Sequence, residues 1–184
     1  MRFETIILAI AFLITIILGT IIIPILKKLK VGQIERDDGP QSHLKKQGTP
    51  TMGGIIMIIA MIITVTGIYI YFVAKGDSET ANKILPMLIA TIGFGLIGFI
   101  DDFKKLVLKN TKGLKPKAKM LGLLVVSVVY TVVLMNVFDI GTDIYIPFVK
   151  EYITLPVWLY VIFAVLVMLA TTNAINLTDG IDGL

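Results

Sequence analysis

From Thr5 to Leu26 the chain runs without one charged side chain, and four further stretches repeat the pattern: Met52–Ala74, Ile84–Ile100, Met120–Val137 and Pro156–Ile175. A helix needs roughly 20 mostly apolar residues to cross the hydrocarbon core of a bilayer. Lipid offers no partner to a bare peptide group, so a chain placed there must close its hydrogen bonds within helices. These blocks predict an all-α polytopic membrane protein with five transmembrane helices. A single packed soluble core is the competing reading, and five such blocks argue against it. Composition agrees: apolar residues are 56% of the chain and charged residues 16%, against about 45–50% and about 25% in soluble domains. The third block is short, but Gly93, Gly95 and Gly98 suit it to close helix packing.

The first block is too long for the apolar region of a signal peptide, typically about 7–15 residues. Lys27, Lys28 and Lys30 follow it with no small-residue cleavage pattern, so it reads as a retained helix with a basic stop. The net charge of +4 would admit nucleic acid as a partner. The lysines, however, gather between the apolar blocks, which points to membrane lipids and anionic substrates and not to nucleic acid. The absence of cysteine excludes disulfides and thiolate metal sites.

Loop charge sets the expected orientation. Lys27, Lys28, Lys30, Arg36, Lys45 and Lys46 follow the first block, and seven lysines from Lys104 to Lys119 follow the third. The other two loops carry only Lys75 with Lys83, and Lys150. By the positive-inside rule the lysine-rich loops face the cytoplasm and the amino terminus lies outside. In the last outer loop, β-branched and aromatic clusters predict a small β-hairpin near residues 143–154, although Pro147 interrupts its first strand. Trp158 and Tyr160 read as interface anchors, and lone His43 as a solvated loop residue.

Three polar clusters fall on the cytoplasmic side. In the first, Lys46 to Gly54, Thr49 suits an N-cap with Pro50 at the first helical position. Capping does not account for Lys46, Thr51 and paired glycines at a helix amino terminus, where anions bind readily. The segment has P-loop glycine spacing, but Ile55 stands where the lysine is needed, so a Walker site is rejected. The second cluster is Asp101-Asp102, read as the end of the third helix, where carboxylates are disfavoured. Compensation by Lys104 and Lys105, or an encounter with phosphate, metal or a proton, explains the pair equally well. The third cluster recurs every three residues as Asn173, Asn176, Asp179 and Asp182, with Gly180 and Gly183 to let the chain turn around a polar ligand. Lysines 109 to 119 read first as a belt on anionic lipid, with some able to hold phosphate. Ionisable groups at the ends of charge-free spans favour an enzyme over a transporter, which would carry them mid-span. Magnesium with one or two carboxylates is the usual way such groups handle a diphosphate.

Gly48-Thr-Pro-Thr-Met-Gly-Gly54, Gly98-Phe-Ile-Asp-Asp-Phe-Lys-Lys105 with Gly113-Leu-Lys-Pro-Lys117, and Asn173-Ala-Ile-Asn-Leu-Thr-Asp-Gly-Ile-Asp-Gly-Leu184 together carry a resemblance. The chain resembles the bacterial phospho-N-acetylmuramoyl-pentapeptide-transferases of the polyprenyl-phosphate N-acetylhexosamine-1-phosphate transferase superfamily. The resemblance implies transfer from UDP-N-acetylmuramoyl-pentapeptide to undecaprenyl phosphate, with Mg2+ as cofactor, giving lipid I and UMP in the bacterial cell membrane. It gives Asp101 and Asp102 the family's aspartate-pair role, in which one acid deprotonates or orients the lipid phosphate, and makes Asp179 a third catalytic candidate. Lys46, Thr51, Lys109, Lys117, Asn173, Asn176, Asp179, Gly180 and Asp182 fall on positions lining the same cleft. A sibling transferase using UDP-N-acetylglucosamine is the alternative, and a membrane binding or transport protein a remoter one. A homodimer is compatible with the resemblance. Family members continue for about five more helices at about 20 residues each, and that half carries the principal magnesium aspartate. Residues 1–184 are therefore expected to form a single membrane domain, the amino-terminal half of a roughly ten-helix enzyme, and to be inactive alone.

Overall fold

The computed structural model describes residues 3–28, 52–108 and 113–178. In chain order they form α1 (Phe3–Lys28), α2 (Gly54–Ala74), α3 (Ser78–Leu108), α4 (Pro116–Val137), β1 (Asp143–Ile146), β2 (Glu151–Thr154) and α5 (Val157–Thr178). All five helices are long and apolar enough to cross a membrane. Large apolar side chains such as Leu8, Phe12, Met57, Leu121 and Leu166 point outward, as lipid-facing surfaces require. Many hydroxyls within the helices bond to their own helix: Thr15 donates to the Ala11 carbonyl, Thr91 to Met87 and Thr172 to Met168. That leaves these side chains compatible with hydrocarbon.

The chain packs as two units, Met1–Lys119 and Met120–Leu184, so the division falls just inside α4. In the first unit, α2 packs against both α1 and α3. Phe3 stacks on Tyr71 at 5.2 Å and meets Phe72 edge-on at 5.6 Å, bringing the start of α1 to the end of α2. The turn into α3 is tight: Gly76 has φ +80°, and Asp77 caps the new helix by accepting the Thr80 N–H at 3.0 Å. The three helices thus run antiparallel, with an aromatic end at Phe3, Tyr71 and Phe72 and a charged end opposite. A Cβ on Gly95 would lie 2.7 Å from Ile58 Cδ1, so the glycine expected to allow close packing does so between α2 and α3. Gly98 would meet nothing within 4 Å and instead borders a cavity.

In the second unit, α4 buries Leu123, Ser127 and Thr131, spaced one helical turn apart. Ser127 donates to the Leu123 carbonyl and Thr131 to the Ser127 carbonyl, each at 2.8 Å. The expected hairpin is present, with Asp143 paired to Thr154 and Ile146 to Glu151 in antiparallel register. Pro147 ends the first strand and serves in the turn, where Lys150 takes φ +59° and donates its N–H to the Ile146 carbonyl at 2.8 Å. Tyr145 and Tyr152 face each other across the ladder at 5.1 Å.

Two expectations need correction. The third block is not a short helix: α3 covers 31 residues and continues past the aspartates to Leu108. Charge ends the apolar run there but not the helix, because Asp and Lys both tolerate helical backbone. The second helix starts at Gly54, with Gly53 at its N-cap position and no side-chain cap, and not at Thr49-Pro50, which lie outside the described residues.

Replacing Gly95 by Leu should force α2 and α3 apart and lower stability by about 1–3 kcal/mol, the usual cost of overpacking. Thermal unfolding in detergent measures it, and Ile58→Ala should recover part of the loss. The Thr80 N–H hydrogen bond holds the Asp77 carboxyl below the ordinary carboxylate range. That stabilisation is complete above the unfolded-state pKa and fades as pH falls through the lower folded-state value. Asp77→Ala should therefore lower the melting temperature at neutral pH, and the gap to wild type should close on acidification.

Candidate active site at the charged end of the first unit

Asp101 and Asp102 lie on α3 seven and six residues before its last residue. Successive helical residues point about 100° apart, so the two carboxylates look in different directions. Asp101 turns toward the chain that leads into α4. It accepts the Leu114 N–H at 2.8 Å and pairs with Lys105 at 3.1 Å and Lys119 at 3.4 Å. Asp102 pairs with the same Lys105 ammonium at 2.8 Å. Their side chains are 10% and 33% exposed respectively. The two neighbouring acids thus share one cation, Lys105, and Lys119 brings a second to Asp101.

The approach of the loop depends on Gly113. Its φ of +46° is one that L side chains rarely adopt, and a Cβ there would lie 2.5 Å from Asp101 Oδ1. Glycine at this point lets the backbone close over the carboxylate and deliver the Leu114 N–H. Lys115, just after it, accepts N–H groups from Ala118 and Lys119 on its carbonyl, which opens α4.

Asp102 lines a cavity of about 260 Å³ between the start of α2 and the charged half of α3. Met52, Gly54, Ile58, Gly95 and Phe99 supply most of the remaining wall, so the cavity is apolar with one carboxylate. Met52 takes φ +68° where the chain turns into α2. The Ile55 and Ile56 N–H groups donate to the Met52 and Gly53 carbonyls within this first turn. That engagement leaves less of the helix start for the anion that its glycines suggested.

Of the remaining expected site residues, Lys117 is exposed on the first turn of α4. In the second unit, Asn173 is half-buried on α5 and donates its amide to the Leu169 carbonyl at 2.7 Å, while Asn176 is exposed. The helical spacing holds for these two, and Asn173 spends part of its hydrogen-bonding capacity on its own helix. Lys46, Thr51, Lys109, Asp179, Gly180 and Asp182 lie outside the described residues. Lys119 was not singled out from the sequence. Its pairing spans a separation of 18 residues and depends on the Gly113 turn, which no local spacing announces.

A magnesium ion asks for oxygen ligands that are free to turn toward it. Asp101 has its carboxylate engaged by Leu114, Lys105 and Lys119, and Asp102 is paired with Lys105. Among the described residues no group of three or more acidic, histidine or cysteine side chains gathers. These residues do not by themselves fit a resident metal.

Comparison with known proteins adds a second line of argument. The profile of glycosyl transferase family 4 matches residues 84–184. A phospho-N-acetylmuramoyl-pentapeptide-transferase of Staphylococcus carnosus is 48% identical over 177 residues, covering 95% of this chain and 53% of the relative. Proteins of the same name from Acetivibrio thermocellus and Staphylococcus epidermidis are 48% and 50% identical over 95% of this chain, covering 50% and 53% of their own lengths. The chain thus spans about half the length of the curated relatives it matches.

The geometry separates the aspartates in stability. Asp101→Ala leaves the Leu114 N–H without its acceptor and removes one partner of Lys119, and should cost about 1–3 kcal/mol. Asp102→Ala, at a partly open cavity wall, should stay within about 0.5 kcal/mol of wild type. Equal losses in thermal unfolding would contradict this description.

Proposed function

The chain belongs to glycosyl transferase family 4, and from that premise we propose that it forms the amino-terminal half of a lipid I synthase. The whole enzyme would transfer phospho-N-acetylmuramoyl-pentapeptide from its UDP donor to undecaprenyl phosphate, at the cytoplasmic side of the bacterial cell membrane. The reading is supported by one arrangement above all: a carboxylate, Asp102, faces an apolar cavity at the lysine-rich end of a lipid-facing helix unit. A polyprenyl phosphate is an acceptor with the same two characters, an apolar chain and an anionic head.

In this reaction a phosphate oxygen of the lipid bonds to the sugar-linked phosphorus, and the bond from that phosphorus to UMP breaks. Both substrates bring negative charge, so the protein must supply positive charge and position, the main contributions to phosphoryl transfer. Lys105 already stands between the two aspartates, and Lys115 and Lys117 extend the positive field at the start of α4. Asp102, on the cavity wall, would orient the acceptor head or take its proton. Magnesium dependence belongs to the proposal: the ion would offset charge on the donor diphosphate, and no step is assigned to it on the described residues. The resemblance also assigns roles to Asp179 and Asp182, which lie outside the described residues.

The full-length protein in detergent, given magnesium, UDP-N-acetylmuramoyl-pentapeptide and undecaprenyl phosphate, should release UMP. Asp102→Asn should reduce release by about 10²-fold or more, as loss of a general base or orienting group does. Residues 1–184 alone should release none. UMP release with UDP-N-acetylglucosamine but not with the muramoyl donor would assign the sibling reaction, and silence with both would return the chain to the binding or transport class.

A further inference from the structure

The two aspartates are adjacent in the sequence, but they have different neighbours. Asp101 is tied by an N–H from one side of the Gly113 turn and by an ammonium from the first turn of α4. Lys105 is the hinge between the members, 3.1 Å from Asp101 and 2.8 Å from Asp102. Only Asp102 reaches the cavity wall.

We propose that Asp101 is a positioning residue that, with Gly113, clasps the chain entering α4 against α3 and holds Lys105 against the cavity-facing Asp102. Its importance to catalysis, which rests on the transferase reading above, is indirect: it fixes the place and charge environment of Asp102. Gly113 is the other half of the device. The turn must pass so near the Asp101 carboxylate that a Cβ would also lie 2.8 Å from Lys105 Cε. A methyl group there pushes on the carboxylate and on the hinge lysine together. Lys119 closes the clasp from a second direction, so the carboxylate is held at both oxygens: Oδ1 by Leu114 and Oδ2 by the two lysines.

The clasp has a readout that does not need activity. In the full-length protein in detergent, a carbodiimide with glycine ethyl ester should label Asp102 several-fold more than Asp101, resolved by peptide fragmentation in the mass spectrometer. Gly113→Ala should bring Asp101 labelling up toward that of Asp102. Equal labelling in the wild type, or Asp101 as the preferred target, overturns the proposal.

Kinetics then separate positioning from bulk stability. Misfolding lowers the apparent kcat and leaves KM unchanged. Loosening the clasp should instead raise KM for undecaprenyl phosphate, the substrate Asp102 is proposed to orient, about five- to tenfold, the scale of one lost charge-assisted hydrogen bond. Asp101→Asn and Gly113→Ala should do so to similar extents, and the double variant should be no worse than the weaker single, because both break one contact set. Lys119→Met should resemble them, with Lys119→Arg restoring most of the loss, which keeps the test open if Gly113→Ala does not fold. Multiplying effects of Asp101→Asn and Gly113→Ala, or unchanged KM in all three variants, would overturn the assignment. A wild type that releases no UMP while the labelling pattern holds refutes the transferase reading and leaves the clasp standing.

Discussion

A peptide N–H or C=O in hydrocarbon has no water to turn to, and this constraint organises the chain. It makes each long apolar block a helix and turns hydroxyls such as those of Thr15, Ser127 and Thr131 to carbonyls of their own helix. It also exiles charge to the helix ends. In the first unit the antiparallel order of α1, α2 and α3 then sorts the ends by chemistry, with Phe3, Tyr71 and Phe72 at one and the aspartates with their lysines at the other. The candidate site lies at that end because the apolar middle of the bundle cannot hold its charges.

At the charged end, α3 does more than cross. Its extension to Leu108 carries Asp101, Asp102 and Lys105 on a continuous helix, so their relative directions are fixed by backbone that needs no loop to support it. Groups on regular helices are held more narrowly than groups on loops. The Gly113 turn adds a fixed neighbour to one of them. Two adjacent acids thereby acquire different surroundings, one enclosed by donors and one open to an apolar cavity.

Much of this was readable in the residues, and the exceptions have physical causes. The five spans follow from run length, and the hairpin from its β-branched and aromatic clusters. Span ends were less readable: hydropathy reports where lipid stops, so the charged residues after Ile100 concealed a helix that runs on to Leu108. Compensation of Asp101 by Lys105 was implicit in a four-residue helical spacing. Lys119 was not, since only the left-handed Gly113 brings it back to α3. Which aspartate faces the cavity depends on where α2 packs, and a one-residue step along α3 reverses the answer. The third cluster is legible in its period, yet Asn173 donates to its own helix, and Asp179 and Asp182 lie outside the described residues.

Lipid I synthesis is decided by the product itself. Membranes containing the full-length protein would be incubated with UDP-N-acetylmuramoyl-pentapeptide and undecaprenyl phosphate, and the solvent-extracted lipid weighed by mass spectrometry. A new lipid with the mass of undecaprenyl diphosphate bearing N-acetylmuramoyl-pentapeptide is expected, absent when either substrate is withheld. Undecaprenyl phosphate recovered unmodified, from protein shown to be folded, would contradict lipid I synthesis.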